Sequence, residues 1–363
     1  MIMIKASFTR KISTVVAATA MAVLSTGAAV SAQAQTQIPV LTCPLGCGHP
    51  EAVTALSAQM ARGNHGVIPA SQETPGFMYN IRAMADESNW DRTIFGTEDT
   101  VIQAAFQGGS DELRKFIPQP IPINFQLLYG LGLVAQGKFF VTFDPNIKSI
   151  ADLKGKRVAI GLPTQSDWGM HASLFLEHAY GITEENTRIN YVTPEVMTQQ
   201  LIDGNVDATL MALITNADGS AWWTAPLTSR MDASGNTIRY LPIDEEAIDT
   251  INEKFSMTLL KLNVPEGTLP DQESEFMVAA NRIYEAVHPD FPEDAAYEMV
   301  KAVAEYGPRL RDAGQGIWRF WSPDNMVAGL TEENSHPGAI RAYKELGWWD
   351  RAAQYEPVTY PED

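Results

Sequence analysis

Ser149-Ile150-Ala151-Asp152-Leu153-Lys154-Gly155-Lys156-Arg157-Val158-Ala159-Ile160-Gly161 is the most readable stretch of the chain. Ser149 and Asp152 have capping-box spacing, Gly155 stops the short helix they open, and Arg157 to Gly161 reads as a buried strand. Upstream, Phe139 to Phe143 alternates as a strand that Asp144-Pro145-Asn146 turns. Downstream, the loop Leu162 to Asp167 leads into a helix with Ala172, Phe175 and Ala179 on one face, stopped by Gly181. Arg188 to Val192 is the next strand. Thr193-Pro194-Glu195 then starts a helix with proline at its first position, carrying Met197 and Leu201 four apart. Gly204 ends it, and Asp207 to Ala212 is a further strand. Strands alternating with helices of about 10–15 residues predict parallel βαβ units, an α/β fold.

Farther out the punctuation is sparser. An apolar run, Ile38 to Thr42, precedes the tight segment Cys43 to Pro50 and a helical stretch from Glu51 to about Arg62. Val53, Leu56 and Met60 share a face of that helix. Phe77 to Ala85 is helix-like, and Thr93 to Thr97 is a short strand entering a helix at Glu98. Pro118, Pro120 and Pro122 break the pattern before the apolar run Phe125 to Val134. After Gly235 comes a strand, Thr237 to Pro242, and the remainder reads as helix-rich and acidic. Without a repeat or a low-complexity linker, the expected architecture is two lobes joined by crossing strands.

The chain has 363 residues with 26 Lys and Arg against 44 Asp and Glu, a formal charge of −18. At 45% hydrophobic and 19% charged residues it is not a disordered chain. The acidic excess argues against nucleic acid and anionic membrane surfaces, both of which need a basic footprint. Two cysteines exclude a disulfide-framework fold. Residues 1–34 read as a secretory signal: Lys5, Arg10 and Lys11, an apolar stretch from Ile12 to Val30, then Ala32-Gln33-Ala34. The stretch is rich in Ala, Ser, Thr and Gly, too weakly apolar for an anchor. Its removal leaves 23 basic against 44 acidic residues, −21, and points to a bacterial periplasm.

The 149–161 stretch resembles a signature of periplasmic substrate-binding proteins. Leu201-Ile202-Asp203-Gly204-Asn205-Val206-Asp207-Ala208, Tyr240-Leu241-Pro242-Ile243-Asp244 and His336-Pro337-Gly338-Ala339-Ile340-Arg341-Ala342-Tyr343-Lys344-Glu345-Leu346-Gly347 narrow the resemblance. They resemble, in order and spacing, the TAXI family, the substrate-binding receptors of one class of TRAP transporters. The resemblance implies a two-lobed type-II periplasmic binding protein fold, with a ligand cleft between the lobes and a hinge near Phe139–Phe143 and Thr237–Pro242. Lobe I would be 35–140 plus 241–363, and lobe II 141–240. It implies a monomer without cofactor, metal or enzymatic activity, which captures a small organic anion such as glutamate or a dicarboxylate. That anion would be delivered to the membrane subunits of a TRAP transporter. Where the family carries Gly- and Thr-rich loops, this chain has Cys43 to His49 and Pro163-Thr164-Gln165-Ser166-Asp167-Trp168-Gly169.

A carboxylate is received well by helix N-termini, whose first N–H groups lack partners and carry the positive end of the dipole. In an open α/β sheet those termini lie at the carboxyl ends of the strands. The candidate ligand residues there are Thr42, Gly48, Thr97, Glu98, Thr164, Gln165, Ser166, Asp167, Trp168, Thr215 and Asn216, with Trp222 able to cover an apolar part of a ligand. Taken singly, each is an ordinary turn or cap residue; their shared position distinguishes the set. Trp223 reads as lobe packing. Arg82, Arg188 and Arg230 are the candidates for pairing with an anion. Cys43 and Cys47 suit a disulfide in an oxidising compartment, the alternative being a metal site with His49. No HExxH, GxSxG, P-loop or GxGxxG pattern occurs. The alternatives to a receptor are a periplasmic enzyme or metal-binding protein using Cys43, Cys47 or His49, and a ligand-sensing subunit.

Overall fold

The computed structural model describes residues 35–360 apart from 45, 46, 64, 135–137 and 225, so the expected signal at 1–34 lies outside the described residues. Among the described residues no helix is long and apolar enough to cross a membrane. Two sheets organise the chain. The larger is built from β1 (Thr36–Leu41), β2 (Val67–Gln72), β3 (Ile94–Glu98) and β4 (Gln126–Val134), and the smaller begins with β5 (Phe140–Thr142), β6 (Arg157–Ile160), β7 (Arg188–Tyr191) and β8 (Ala208–Leu210). β9 (Leu213–Thr215) and β10 (Trp222–Thr224) return to the larger sheet, β11 (Arg239–Leu241) joins the smaller, and β12 (Leu260–Val264) and β13 (Phe276–Val287) complete the larger.

The orders are β10-β9-β4-β13-β3-β1-β2, with β12 also on β13, and β11-β5-β8-β6-β7. Both sheets carry the same core arrangement. In each, the second, first and third strands of a βαβ series run parallel in that order, and an antiparallel strand follows the third: β13 beside β3, and β5 beside β8. The fold is therefore mixed α/β. In a 2-1-3 order the chain leaves the first and third strands toward opposite sides, which opens a crevice at their carboxyl ends. In the larger sheet that place is the ends of β1 and β3; in the smaller it is the ends of β6 and β8.

The final third departs from the expected run of helices. β13 is a twelve-residue strand, buried from Val278 to Val287, and lies between β3 and β4 in the larger sheet. Asn281, Arg282 and Glu285 interrupt its apolar pattern, and a strand with buried polar residues does not read as a strand by hydropathy alone. β2 is likewise masked by Pro69, which an edge strand tolerates. The run Asp207 to Ala212, expected as one strand, divides at Met211–Ala212: β8 pairs in the smaller sheet and β9 in the larger. The chain thus passes between the sheets at four places: β4 to β5, β8 to β9, β10 to β11 and β11 to β12.

Helices cover the larger sheet where the spacing of apolar residues demands. Glu293–Asp312 and Pro337–Leu346 pack on one another, and Tyr343 of the second is fully buried, donating its hydroxyl to the carbonyls of Leu128 (2.8 Å) and Met326 (3.2 Å). Tyr284, also fully buried on β13, donates to the Ala328 carbonyl at 2.6 Å. These two hydroxyls pin the 326–328 backbone to the sheet. Tyr284→Phe leaves the carbonyl of Ala328 without that donor, and unfolding in urea should show a loss of about 1–2 kcal/mol; an unchanged midpoint would count against this role.

Candidate functional site

The expected site residues separate into two places. Thr42 follows β1, fully buried, and its hydroxyl donates to the Gln72 carbonyl (2.9 Å) while its own carbonyl accepts from Thr74 (2.7 Å) and Asn80 (2.8 Å). Asn80, unnoticed in the sequence, also donates to the carbonyls of Leu41 (3.1 Å) and Gly96 (2.9 Å), so one buried carboxamide holds the exits of β1 and β3 together. Gly48 caps helix His49–Met60 with φ at 89°, a left-handed conformation that suits glycine. Cys43 and Cys47 are joined to one another, with Cα atoms 6.4 Å apart, so neither offers a thiolate for a metal. His49 turns away from them to Glu285, Nε2 to Oε1 at 2.6 Å.

Glu98 is the last residue of β3, and Ser166 and Asp167 begin the helical segment after β6. The structure brings these three together across the two sheets. Ser166 donates to Glu98 Oε1 at 2.9 Å. Thr97 is buried next to Glu98 at the same strand end. Gln165 accepts from the Leu162 N–H at 3.0 Å and so shapes its own loop. Thr164 offers its carbonyl to the turn of the opposite sheet: a Cβ on Gly76 would lie 2.5 Å from that oxygen, which is why the two loops meet only with glycine there.

The sequence places a loop from Leu162 to Asp167 and an ordinary helix after it; in the structure the helical segment already begins at Ser166. It runs instead largely as wide π turns, with Met170 N–H reaching the Gln165 carbonyl (2.9 Å) and Tyr180 N–H that of Phe175 (3.2 Å). Gly161 and Gly169 admit it, because a Cβ on Gly161 would collide with Trp168 and one on Gly169 with the Leu162 carbonyl. Trp168 is therefore packed against the strand end of β6. π turns of this kind occur often at functional sites.

Asp167 and His171 lie four apart on this segment, with His171 Nδ1 at 3.2 Å from Asp167 Oδ1. Lys138, at the passage from β4 to β5, completes the cluster by donating to both Asp167 Oδ1 and Asn281 Oδ1 of β13. Lys138, His171 and Asn281 have no exposed surface, and Glu98 and Asp167 retain only 2% and 4%. Burial first, and then the adjacent Asp167 carboxylate, hold the Glu98 carboxyl well above the usual range. Burial works against ionising Asp167 too, but the Lys138 ammonium and the His171 hydrogen bond outweigh it and hold Asp167 below its usual value. His171 is pushed down to about 4 by burial and then by Lys138, so it is neutral near pH 7. Nearby, burial raises Asp99 to about 6 against the opposing Arg282.

The remaining expected residues lie elsewhere. Thr215 is on β9 opposite Leu133 and donates to the Ala221 carbonyl at 2.7 Å; Asn216 closes the same turn through Ser220 (2.9 Å) and the Ala221 N–H (2.9 Å). Their side chains are spent on that hairpin. Trp222 is half-buried on β10, and Arg319 stacks over neighbouring Trp223, 4.6 Å from its centroid. None of the three expected arginines enters the cluster. Arg82 donates to the Phe116 carbonyl (3.0 Å), Arg188 is exposed, and Arg230 pairs with Gln199. The cation that does enter, Lys138, follows an apolar run, and its partners Asp167 and Asn281 lie 29 and 143 positions away, beyond the reach of local pattern.

Residues 133–347 match the NMT1-like family. Among solved structures, the chain is similar to the periplasmic aliphatic sulphonate binding protein SsuA of Escherichia coli, at 14% identity and a TM-score of 0.35, covering 89% of this chain and 80% of that one. It is similar to a putative periplasmic sulfonate-binding protein of Methylobacillus flagellatus, at 14% identity and a TM-score of 0.44, over 90% and 98%. It is also similar to a histidine kinase sensor domain, at 15% identity and a TM-score of 0.40, over 79% and 96%.

The low value for His171 has a consequence for stability. The unfolded chain takes up a proton near pH 6.5 and the folded chain only near 4, so this residue contributes stability above pH 6.5 that is lost as pH falls toward 4. Asp99, raised in the fold, acts in the opposite sense between its usual value and about 6. The two separate in a variant: from pH 7 to 4 the parent should lose up to about 3 kcal/mol more than His171→Gln, read from urea midpoints. Parallel pH profiles for the two proteins would contradict the assignment.

Proposed function

The chain belongs to the NMT1-like family, and on that premise we propose that it is a solute receptor of the TAXI type. In this reading residues 1–34 direct it to the periplasm. The lobes 35–140 plus 241–363 and 141–240 then close over a small organic anion and present it to the membrane subunits of a TRAP-type transporter. β9 and β10, inside the second of these segments, reach into the larger sheet and tie the two halves together.

The observation that carries the reading is the meeting of charged side chains from both sheets at strand carboxyl ends. Ser166, in the segment after β6, reaches Glu98 at the end of β3, and Lys138, on the passage between the sheets, reaches Asp167 of the smaller one, where an α/β crevice receives ligands. A solute that touches Glu98 on one side and Asp167 on the other binds the closed arrangement better than an open one. That difference in affinity is the only quantity that can drive closure. Lys138 lies on the passage from β4 to β5, so the group receiving an anion also sits at the hinge. Hinge motion of this kind needs only a few residues at such passages to absorb the change.

A thermal-shift screen of organic acids tests the proposal. A true ligand at 100 times its Kd should stabilise the protein by about 2.7 kcal/mol without being consumed. Lys138→Met should abolish most of that shift. Turnover of the stabilising compound, or a shift that survives Lys138→Met unchanged, would overturn the reading.

A further inference from the structure

Two carboxyl groups meet where the sheets meet. Glu98 ends β3 of the larger sheet, Asp167 follows β6 of the smaller, and their side chains hydrogen-bond to one another. Ionised carboxylates are acceptors only, so a hydrogen bond between two of them requires one to carry a proton. The surroundings place that proton on Glu98. Asp167 Oδ1 already takes the Lys138 ammonium and faces His171 Nδ1 at 3.2 Å, which favours its ionised form. Glu98 Oε1 accepts from the neutral Ser166 hydroxyl at 2.9 Å, and Glu98 Oε2 is buried without a hydrogen-bond donor among the described residues.

A count of charges gives the same answer. Around Glu98 stand Asp167 and His171 from the segment after β6, Lys138 from the passage between the sheets, the adjoining Asp99, and Arg282 of β13. Arg282 offsets Asp99, its Nη1 3.9 Å from Asp99 Oδ2, and Lys138 offsets Asp167. His171, at about 4, is neutral near pH 7. A protonated Glu98 leaves the group balanced, whereas an ionised Glu98 leaves one buried carboxylate without a cation.

We propose that this proton is a latch between the lobes: closure takes one proton from solvent onto Glu98, which donates it to Asp167, and loss of that proton parts the lobes. This rests on the two-lobed receptor reading above and adds its regulation. With the lobes apart, Glu98 faces water rather than Asp167 and is ionised at neutral pH like any glutamate. Closing therefore binds a proton that opening releases, so the closed form gains as pH falls and is lost as pH rises. For one proton the ratio of closed to open changes by up to about tenfold per pH unit. A solute that binds the closed form is then held more tightly in acid and released toward alkaline pH. Burial and the Asp167 carboxylate, which hold the Glu98 carboxyl well above the usual range in the closed arrangement, act in this direction.

Spin labels at Glu87→Cys and Glu185→Cys, two exposed positions on opposite lobes, report the separation of the lobes by pulsed electron resonance in the full chain without added solute. Cys43 and Cys47 are joined, so no native thiol competes for the label. The window is pH 6.5 to 9, where Asp99, at about 6, is already ionised and His171 already neutral. There the ratio of short to long distances should fall by up to about tenfold per unit. Glu98→Gln, whose amide donates to Asp167 but does not ionise, should keep the short distance throughout. Asp167→Asn, a second variant in case the first folds poorly, should flatten the pH dependence. Two populations whose ratio ignores pH, a single long distance at every pH, or the same pH response in the parent and Glu98→Gln overturns the latch and leaves the closing receptor standing. A single short distance at every pH in the parent overturns the latch and the hinged closure together.

Discussion

The contact between Lys138 and Asp167 is the constraint on which the arrangement of the two sheets depends. Lys138 belongs to a passage between sheets, Asp167 to a loop of the smaller one, and Asn281, which shares the ammonium, to the central strand of the larger. A buried ion pair of this kind adds little to stability compared with apolar packing, because both charges have left water. Removing one member is another matter: an uncompensated buried charge costs on the order of 3–5 kcal/mol. The pair therefore acts as a register device. Only the arrangement that brings these three segments together satisfies it.

Everything around the pair is shaped to allow that approach. Gly76 lets the turn after β2 come against the Thr164 carbonyl, and Gly161 and Gly169 let the segment after β6 settle on its own strand. The π turns then place Asp167 and His171 on one side, with the histidine fixing the carboxylate from behind. Asn80 does the corresponding work on the larger sheet, closing the exits of β1 and β3 so that Glu98 is presented at a defined height. The disulfide between Cys43 and Cys47 covers the same exit of β1. Small residues, a wide helix and one carboxamide thus convert two sheet ends into opposing faces.

Legibility followed the range of the interactions. The segment 149–161 was readable because its capping box, its stop glycine and its apolar strand are all local, and the structure shows the box closed by Ser149 and Asp152. Glu98, Ser166 and Asp167 could be placed at strand ends for the same reason, since a strand followed by a helix fixes where its last residue lies. β13 escaped because Asn281, Arg282 and Glu285 are buried polar residues whose partners are far away in sequence; Glu285 meets His49 across 236 positions. Lys138 escaped likewise, its partners being 29 and 143 positions distant. The hairpin of Thr215 and Asn216 shows the converse: local turn chemistry placed them at a strand end, but those side chains hydrogen-bond within the turn itself.

By itself the amino-acid sequence determined the α/β class, the alternation of strands and helices through the middle of the chain, and which residues stand at strand carboxyl ends. Those properties follow from periodicity, caps and glycine or proline stops, all of which act over a few residues. Only the tertiary structure decided that β13 fills the centre of the larger sheet, that the chain passes between the sheets four times, and that a lysine rather than an arginine enters the cluster. Each of these depends on which distant groups share a buried volume. Desolvation forces a buried charge to find a partner, but the identity of that partner is set by packing in three dimensions.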